Sequence, residues 1–126
     1  MTRPHRRPAP GERGSGSVLV VGGVGVLTAV LVAALVVASV VRDAHRAGGI
    51  ADRAALAAAV PLTLGAGPDC AAAARLATTD GARVTRCSAW SDGSVVVEVS
   101  VALGAAAVRW PGVPVQVTAR ARAGTE

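Results

Sequence analysis

Few residues in this chain are of types that do chemistry, and their spacing keeps them apart. Cys70 and Cys87 are separated by 17 positions, and the two histidines, His5 and His45, lie near neither. A zinc site draws its ligands from closely spaced Cys and His pairs, so no metal site is predicted. A Ser or Cys nucleophile needs a base within hydrogen-bond reach. His45 stands in Arg42-Asp43-Ala44-His45-Arg46 beside a long apolar run and reads as a surface residue. Asp43, Asp52, Asp69, Asp80, Asp92, Glu98 and Glu126 have cap, turn or surface explanations and form no carboxylate pair for acid–base work. Gly22-Gly23-Val24-Gly25 lies inside the apolar run with no Lys-Ser/Thr after it, so it is no phosphate loop. The reading is a non-enzyme with no catalytic residues, no cofactor and no small-molecule substrate.

What chemistry remains to the cysteines is with each other. In an oxidising compartment Cys70 and Cys87 form a disulfide; in a reducing one they stay structural thiols. Closing that loop is worth ~3 kcal/mol in the chain-entropy model, a large share of the stability of so small a head. The compartment therefore matters, and the apolar run decides it.

From Val18 to Val41 no residue is charged, and only Thr28 and Ser39 are polar. As a helix this run reaches ~36 Å, enough for a bilayer core of ~30 Å. A cleaved export signal has an apolar stretch of only ~7–15 residues, so the length favours an anchor. The competing site is Val36-Val37-Ala38 before Ser39, where cleavage would release a secreted domain. Arg3, Arg6, Arg7 and Arg13 keep the N-terminus cytoplasmic by the positive-inside rule and place the C-terminal part outside the cytoplasm. Gly25, Ala29 and Ala33 recur every fourth position, with Gly22 one turn before, which lets a second helix approach closely in lipid.

All 13 basic residues are arginine, against 8 acids, for a net charge of +5. From residue 42 onward nine arginines face seven acids, with Trp90 and Trp110 the only aromatics. That is no basic stripe with stacking rings, so nucleic acid is excluded as a partner.

The elements that position these groups follow from pattern. Residues 1–17 are a basic cytoplasmic leader, 18–41 a transmembrane helix, 42–60 a helical stem and 61–126 an extracytoplasmic head. The run and the stem read as one long helix, or as two nearly collinear ones with a weak joint at Gly48-Gly49, where each glycine costs ~1 kcal/mol, and Pro61 ends the helix. PLTLGAGP at 61–68 reads as a linker. Asp69 N-caps a second helix that stops at Gly81. Strands follow at 83–90, 94–103 and 113–121, the first two joined by Ser91-Asp92-Gly93-Ser94. In the second, Val95, Val97, Val99, Val101 and Leu103 line one face, and Val96, Glu98, Ser100 and Ala102 the other. In the third, Val113, Val115, Val117 and Ala119 share a face. The helices around 50–60 and from 70 supply the cover. The fold class is α+β: a transmembrane helix extending into a stem, and a head of one short helix and a three-stranded antiparallel sheet.

This order of parts, with Glu12-Arg13-Gly14-Ser15 leading into the apolar helix, Ala51-Asp52-Arg53-Ala54-Ala55-Leu56-Ala57 beyond it, and Cys70 and Cys87 around Asp80-Gly81-Ala82, resembles the TadE-like proteins of actinobacteria. These are small pilin-like membrane proteins of Tad/Flp pilus and secretion systems. The resemblance covers roughly residues 11 to 120. It implies a single-pass, non-enzymatic subunit or assembly factor at the cell membrane, whose partners are other pilin-like or Tad secretion membrane proteins. It also implies prepilin-type cleavage between Gly14 and Ser15, with Gly11 and Gly16 as other positions. The fifth residue after that cut is Leu19, where typical prepilins carry Glu. Two other readings stand beside it: an envelope protein whose stapled head binds a partner, and a secreted small domain.

Overall fold

The computed structural model describes residues 1–2, 14–104, 111–112 and 115–124. The Arg-rich lead-in with Gly11, Glu12 and Arg13, the connection holding Trp110, and Val113 lie outside them. The chain divides into two compact units, Met1–Leu35 and Val36–Glu126, each described by itself.

Helix α1 runs over Ser15–Ala59. In the first unit it is apolar and exposed on every side, Val18, Leu19, Val21 and Leu27 among its large residues. In the second unit it is one-sided. Ala47, Ile50, Ala51, Ala54, Ala55 and Ala58 are buried at the three- and four-residue spacing of a helix face. Of the two expected forms the structure has the single long helix: α1 passes through Gly48 and Gly49 without a break. The reason lies in their neighbours: Ala47, Ile50 and Ala51 are at most 1% exposed, and that packing outweighs the ~1 kcal/mol a glycine costs a helix.

The expected linker is in part a 3-10 helix, Val60–Leu64, with Pro61 in its first turn. It closes through Gly65 N–H donating to Leu62 O and Ala66 N–H to Pro61 O, both at 3.0 Å. Asp69 N–H then donates to Ala58 O at 3.0 Å, which fixes the return of the chain toward α1. Helix α2 spans Cys70–Thr79. Asp69 caps it as its sequence position predicts, its Oδ1 accepting from Ala72 N–H at 2.8 Å. The helix ends where Gly81 takes a left-handed φ of 78°, a conformation that favours glycine.

Strands β1 (Arg83–Ala89), β2 (Ser94–Ala102) and β3 (Gln116–Gly124) form one antiparallel sheet in the order β1-β2-β3. The inward face of β2 is the predicted one: Val95, Val97 and Val99 are fully buried, with Val101 and Leu103 close behind. The four valines pack with the alanine face of α1, with Ala73 and Ala77 of α2, and with Ala121 of β3. Alanine's short side chain lets each helix lie close to a valine-covered sheet, and the core cluster is built from alanine, valine and Ile50 without an aromatic among its buried residues.

Three details differ from expectation. First, β1 carries a bulge: Val84 pairs with Val99 but Arg86 pairs with Glu98, so Thr85 is the extra residue. The bulge shifts the alternation, which is why Val84 and Cys87, three apart, both pack against the core. Second, β3 is Gln116–Gly124 where 113–121 is expected, and Val115, ahead of it, is 59% exposed and outside the core, while Val113 lies outside the described residues. Each residue of β3 pairs one-for-one with β2 as far as Gly124 opposite Ser94, so the length of β2 sets its end. Third, Val96 lies on the outer face as predicted but is only 3% exposed, because Trp90, Arg120 and Arg122 crowd around it.

Candidate functional site

Two regions of the molecule carry the residues singled out above. The first is the apolar stretch of α1. Gly14 is exposed and immediately precedes the first helical residue, Ser15, so the implied cleavage position sits at the helix start. Gly25, Ala29 and Ala33 are all exposed. A surface dent in this stretch lies nearer the helix start, where Gly14, Val18, Gly22, Gly23 and Val26 are among its lining residues and Gly22 and Gly23 lack side chains. At ~100° per residue Gly14, Val18, Gly22 and Val26 fall on the same side of the helix as Gly25, Ala29 and Ala33. The dent's signal in the sequence is the four-residue spacing of Gly14, Val18, Gly22 and Val26. Among the described residues this is the one helix long and apolar enough to cross a membrane, and none of its most apolar 18-residue window is buried.

The second region is the sheet with its attached helices. Cys70 and Cys87 form a disulfide with a Cα–Cα distance of 5.9 Å. It joins the first residue of α2 to the inward side of β1, just past the bulge that turns Cys87 toward the core. At its other end α2 is held by two arginines of α1. Arg46 Nη2 donates to Asp80 O at 2.7 Å, and Arg53 Nη2 pairs with Asp80 Oδ2 at 2.8 Å. Cations at a helix C-terminus meet the partial negative charge of the last carbonyls. Two segments distant in sequence, around Arg53 and around Asp80, therefore touch in space. Their distance in sequence hides this, as no local signal links Arg46 to Asp80.

The hairpin end holds the densest polar cluster. Trp90 N–H donates to Ser94 O at 2.7 Å and Gly93 N–H to Trp90 O at 3.1 Å, with Gly93 at φ 78°. This is a three-residue loop closed by a left-handed glycine. Asp92 Oδ1 accepts from Ser94 Oγ–H at 2.6 Å and from Ser94 N–H at 3.1 Å. Arg122 donates through Nε to Ser94 Oγ at 2.8 Å and pairs with Asp92 through Nη2. Its guanidinium lies 5.2 Å from the centre of the Trp90 ring, within cation–π range. The Ser94 hydroxyl holds the Asp92 carboxyl below its ordinary 3.8, helped by the Ser94 amide and by the charge of Arg122. Gly124 is required at its position: a Cβ there would fall 2.9 Å from Ser94 Cβ and 3.2 Å from Ser94 Cα.

This cluster has the marks of a strand lock, since Asp92, Ser94 and Arg122 are each bonded to the other two. No group of three His, Cys, Asp or Glu side chains gathers among the described residues. His45 is exposed on α1. Glu98, on the outer face, accepts from Thr85 Oγ1 at 3.1 Å. The fold and its fittings define a small α+β protein with one long apolar helix and one disulfide-stapled sheet. Compared with protein-family models, with curated proteins and with solved structures, the chain matches none.

Proposed function

We propose that the protein is a non-enzymatic, single-pass membrane component of a Tad/Flp-type pilus-assembly or secretion system, acting as a pilin-like subunit or assembly factor. The observation that carries the reading is the apolar part of α1, with its most apolar window entirely uncovered. An isolated helix of that composition is stable in a bilayer and insoluble outside one. The N-terminus stays in the cytoplasm with its arginines, and the C-terminal part lies outside, where the Cys70–Cys87 disulfide can form and persist. The resemblance to TadE-like proteins names the system, and the contact of Arg53 with Asp80 gives two of its motif segments a shared structural task.

The test is the intact mass and N-terminal sequence of the protein recovered from membranes of its native host, with its co-purifying partners. The expected result is membrane-retained protein beginning at its own N-terminus or at Ser15, accompanied by an assembly ATPase and polytopic membrane proteins. A start at Ser15 marks prepilin-type processing after Gly14. Protein in the medium that begins near Ser39 would sink the membrane reading, and membrane protein without those partners would sink the pilus one.

A further inference from the structure

We propose that the outer edge of β3 receives an extended segment of a partner protein in which small apolar residues alternate with acidic ones. Three observations support this, none of which depends on the membrane reading.

The first is the edge itself. Leu103 N–H donates to Val115 O at 3.1 Å, at the end of the β2–β3 ladder. Hydrogen-bonded pairs alternate along an antiparallel ladder, so Val117, Ala119, Ala121 and Ala123 turn their backbone groups toward β2. Thr118, Arg120 and Arg122 then turn theirs outward. No described strand pairs with that side. Edge strands are usually blunted by bulges, shortness, prolines or charged side chains. β1 has its bulge and lies beside α2. β3 runs nine residues in unbroken register with no bulge or proline, and Arg120 and Arg122 are its charged side chains, which turn away a strand of like charge and leave the edge open to an acidic one.

The second is a groove of about 620 Å³ between α1 and the end of β3, lined by Asp52, Leu56, Arg122, Ala123 and Gly124. Leu56 is 61% exposed beside it, although its neighbours Ala54 and Ala55 are buried. A fourth strand, ~4.8 Å beyond β3, would place alternate side chains over Leu56 and Ala123. Those positions call for small apolar residues.

The third is charge. The outer face carries Arg120 on β3 itself, with Glu98 of β2 and then Arg86 of β1 in line behind it in the pairing register. Neither arginine has a carboxylate within ion-pair distance among the described residues. Acidic side chains on the outward positions of the added strand would meet Arg120 directly across. The same charge argues against a second copy of this chain. Antiparallel self-pairing centred on Arg120 or Ala121 sets Arg120 opposite its counterpart or opposite Arg122, and like charges directly across a ladder destabilise those two registers. Strand addition of this kind draws affinity from main-chain hydrogen bonds and specificity from alternate side chains.

The test uses the full chain in lipid nanodiscs and two peptides matched to β3 in length, one alternating valine with glutamate and one valine with lysine. The valine–glutamate peptide is expected to slow amide exchange at Thr118, Arg120 and Arg122, to bind more tightly than its lysine twin, and to weaken with added salt. Arg120→Glu is expected to weaken the glutamate peptide about tenfold and reverse the preference. The salt series on the unaltered chain decides the matter even where that variant folds poorly. Absence of protection at these amides, or equal affinity for both peptides, overturns the proposal. Protection of the same amides without any peptide also overturns it: if it grows with protein concentration the occupant is a second copy, and if it does not, the occupant is a segment of this chain.

Discussion

At the scale of single residues, the hairpin lock shows how charge, geometry and pH are linked. Asp92 is ionised in the folded state at a lower pH than in the unfolded chain, because the Ser94 hydroxyl and amide both donate to it and Arg122 lies beside it. A carboxyl with a depressed folded value contributes stability that is complete above its ordinary value and lost as the pH falls through the folded one. Asp92→Asn should therefore flatten the acid limb of the stability curve below about pH 4 while leaving its shape near neutrality unchanged. Denaturant titrations of both proteins across that range check it, and an acid limb identical in the two would show that Asp92 is not the responsible group. The carboxyl is solvent-exposed, so the effect is a change of slope and not a collapse.

At the scale of elements, α1 has two sides with opposite tolerances. Gly49 is exposed, and a Cβ added there would meet no other atom within 4 Å. Gly49→Ala should stabilise the folded unit by ~1 kcal/mol, since alanine is the better helix former and no contact opposes it. Five positions on, Ala54 is fully buried against the valine sheet. Ala54→Leu should cost ~1–3 kcal/mol, because the seam has no room for three more carbons. Thermal melts of the pair should move in opposite directions. Equal shifts of the same sign would mean that α1 does not lie on the sheet with this face.

At the scale of the whole molecule, the 66 residues after Val60 build a sheet too small to be secure on burial alone, and it borrows a helix face from α1 and a covalent tie at Cys70–Cys87. Cys70→Ser, or reduction of the native protein, should lower stability by ~3 kcal/mol. Denaturant unfolding with and without reductant, on protein held in detergent, measures this. A loss under ~1 kcal/mol would mean the arginine clamp on Asp80 and the Ala–Val core hold α2 without the tie.

Much of this was legible in the residues alone, because it depends on periodicity and composition, which are local. The uncharged run from Val18 to Val41, the valines at alternate positions of β2, the Asp69 cap, the Asp92-Gly93 hairpin and the left-handed Gly81 all follow from neighbours within a few positions. What needed the tertiary structure was everything that depends on a partner distant in sequence. The continuity of α1 through Gly48-Gly49 comes from burial of Ala47, Ile50 and Ala51. The bulge at Thr85 comes from the register with β2, and the late start of β3 from the same ladder. Only the fold brings Arg46 and Arg53 to Asp80, Arg122 to Trp90, and Leu56 to the open edge of β3. Periodicity assigns each residue a face, but what lies against that face is set by burial and pairing across the chain, and those energies outweigh local preference.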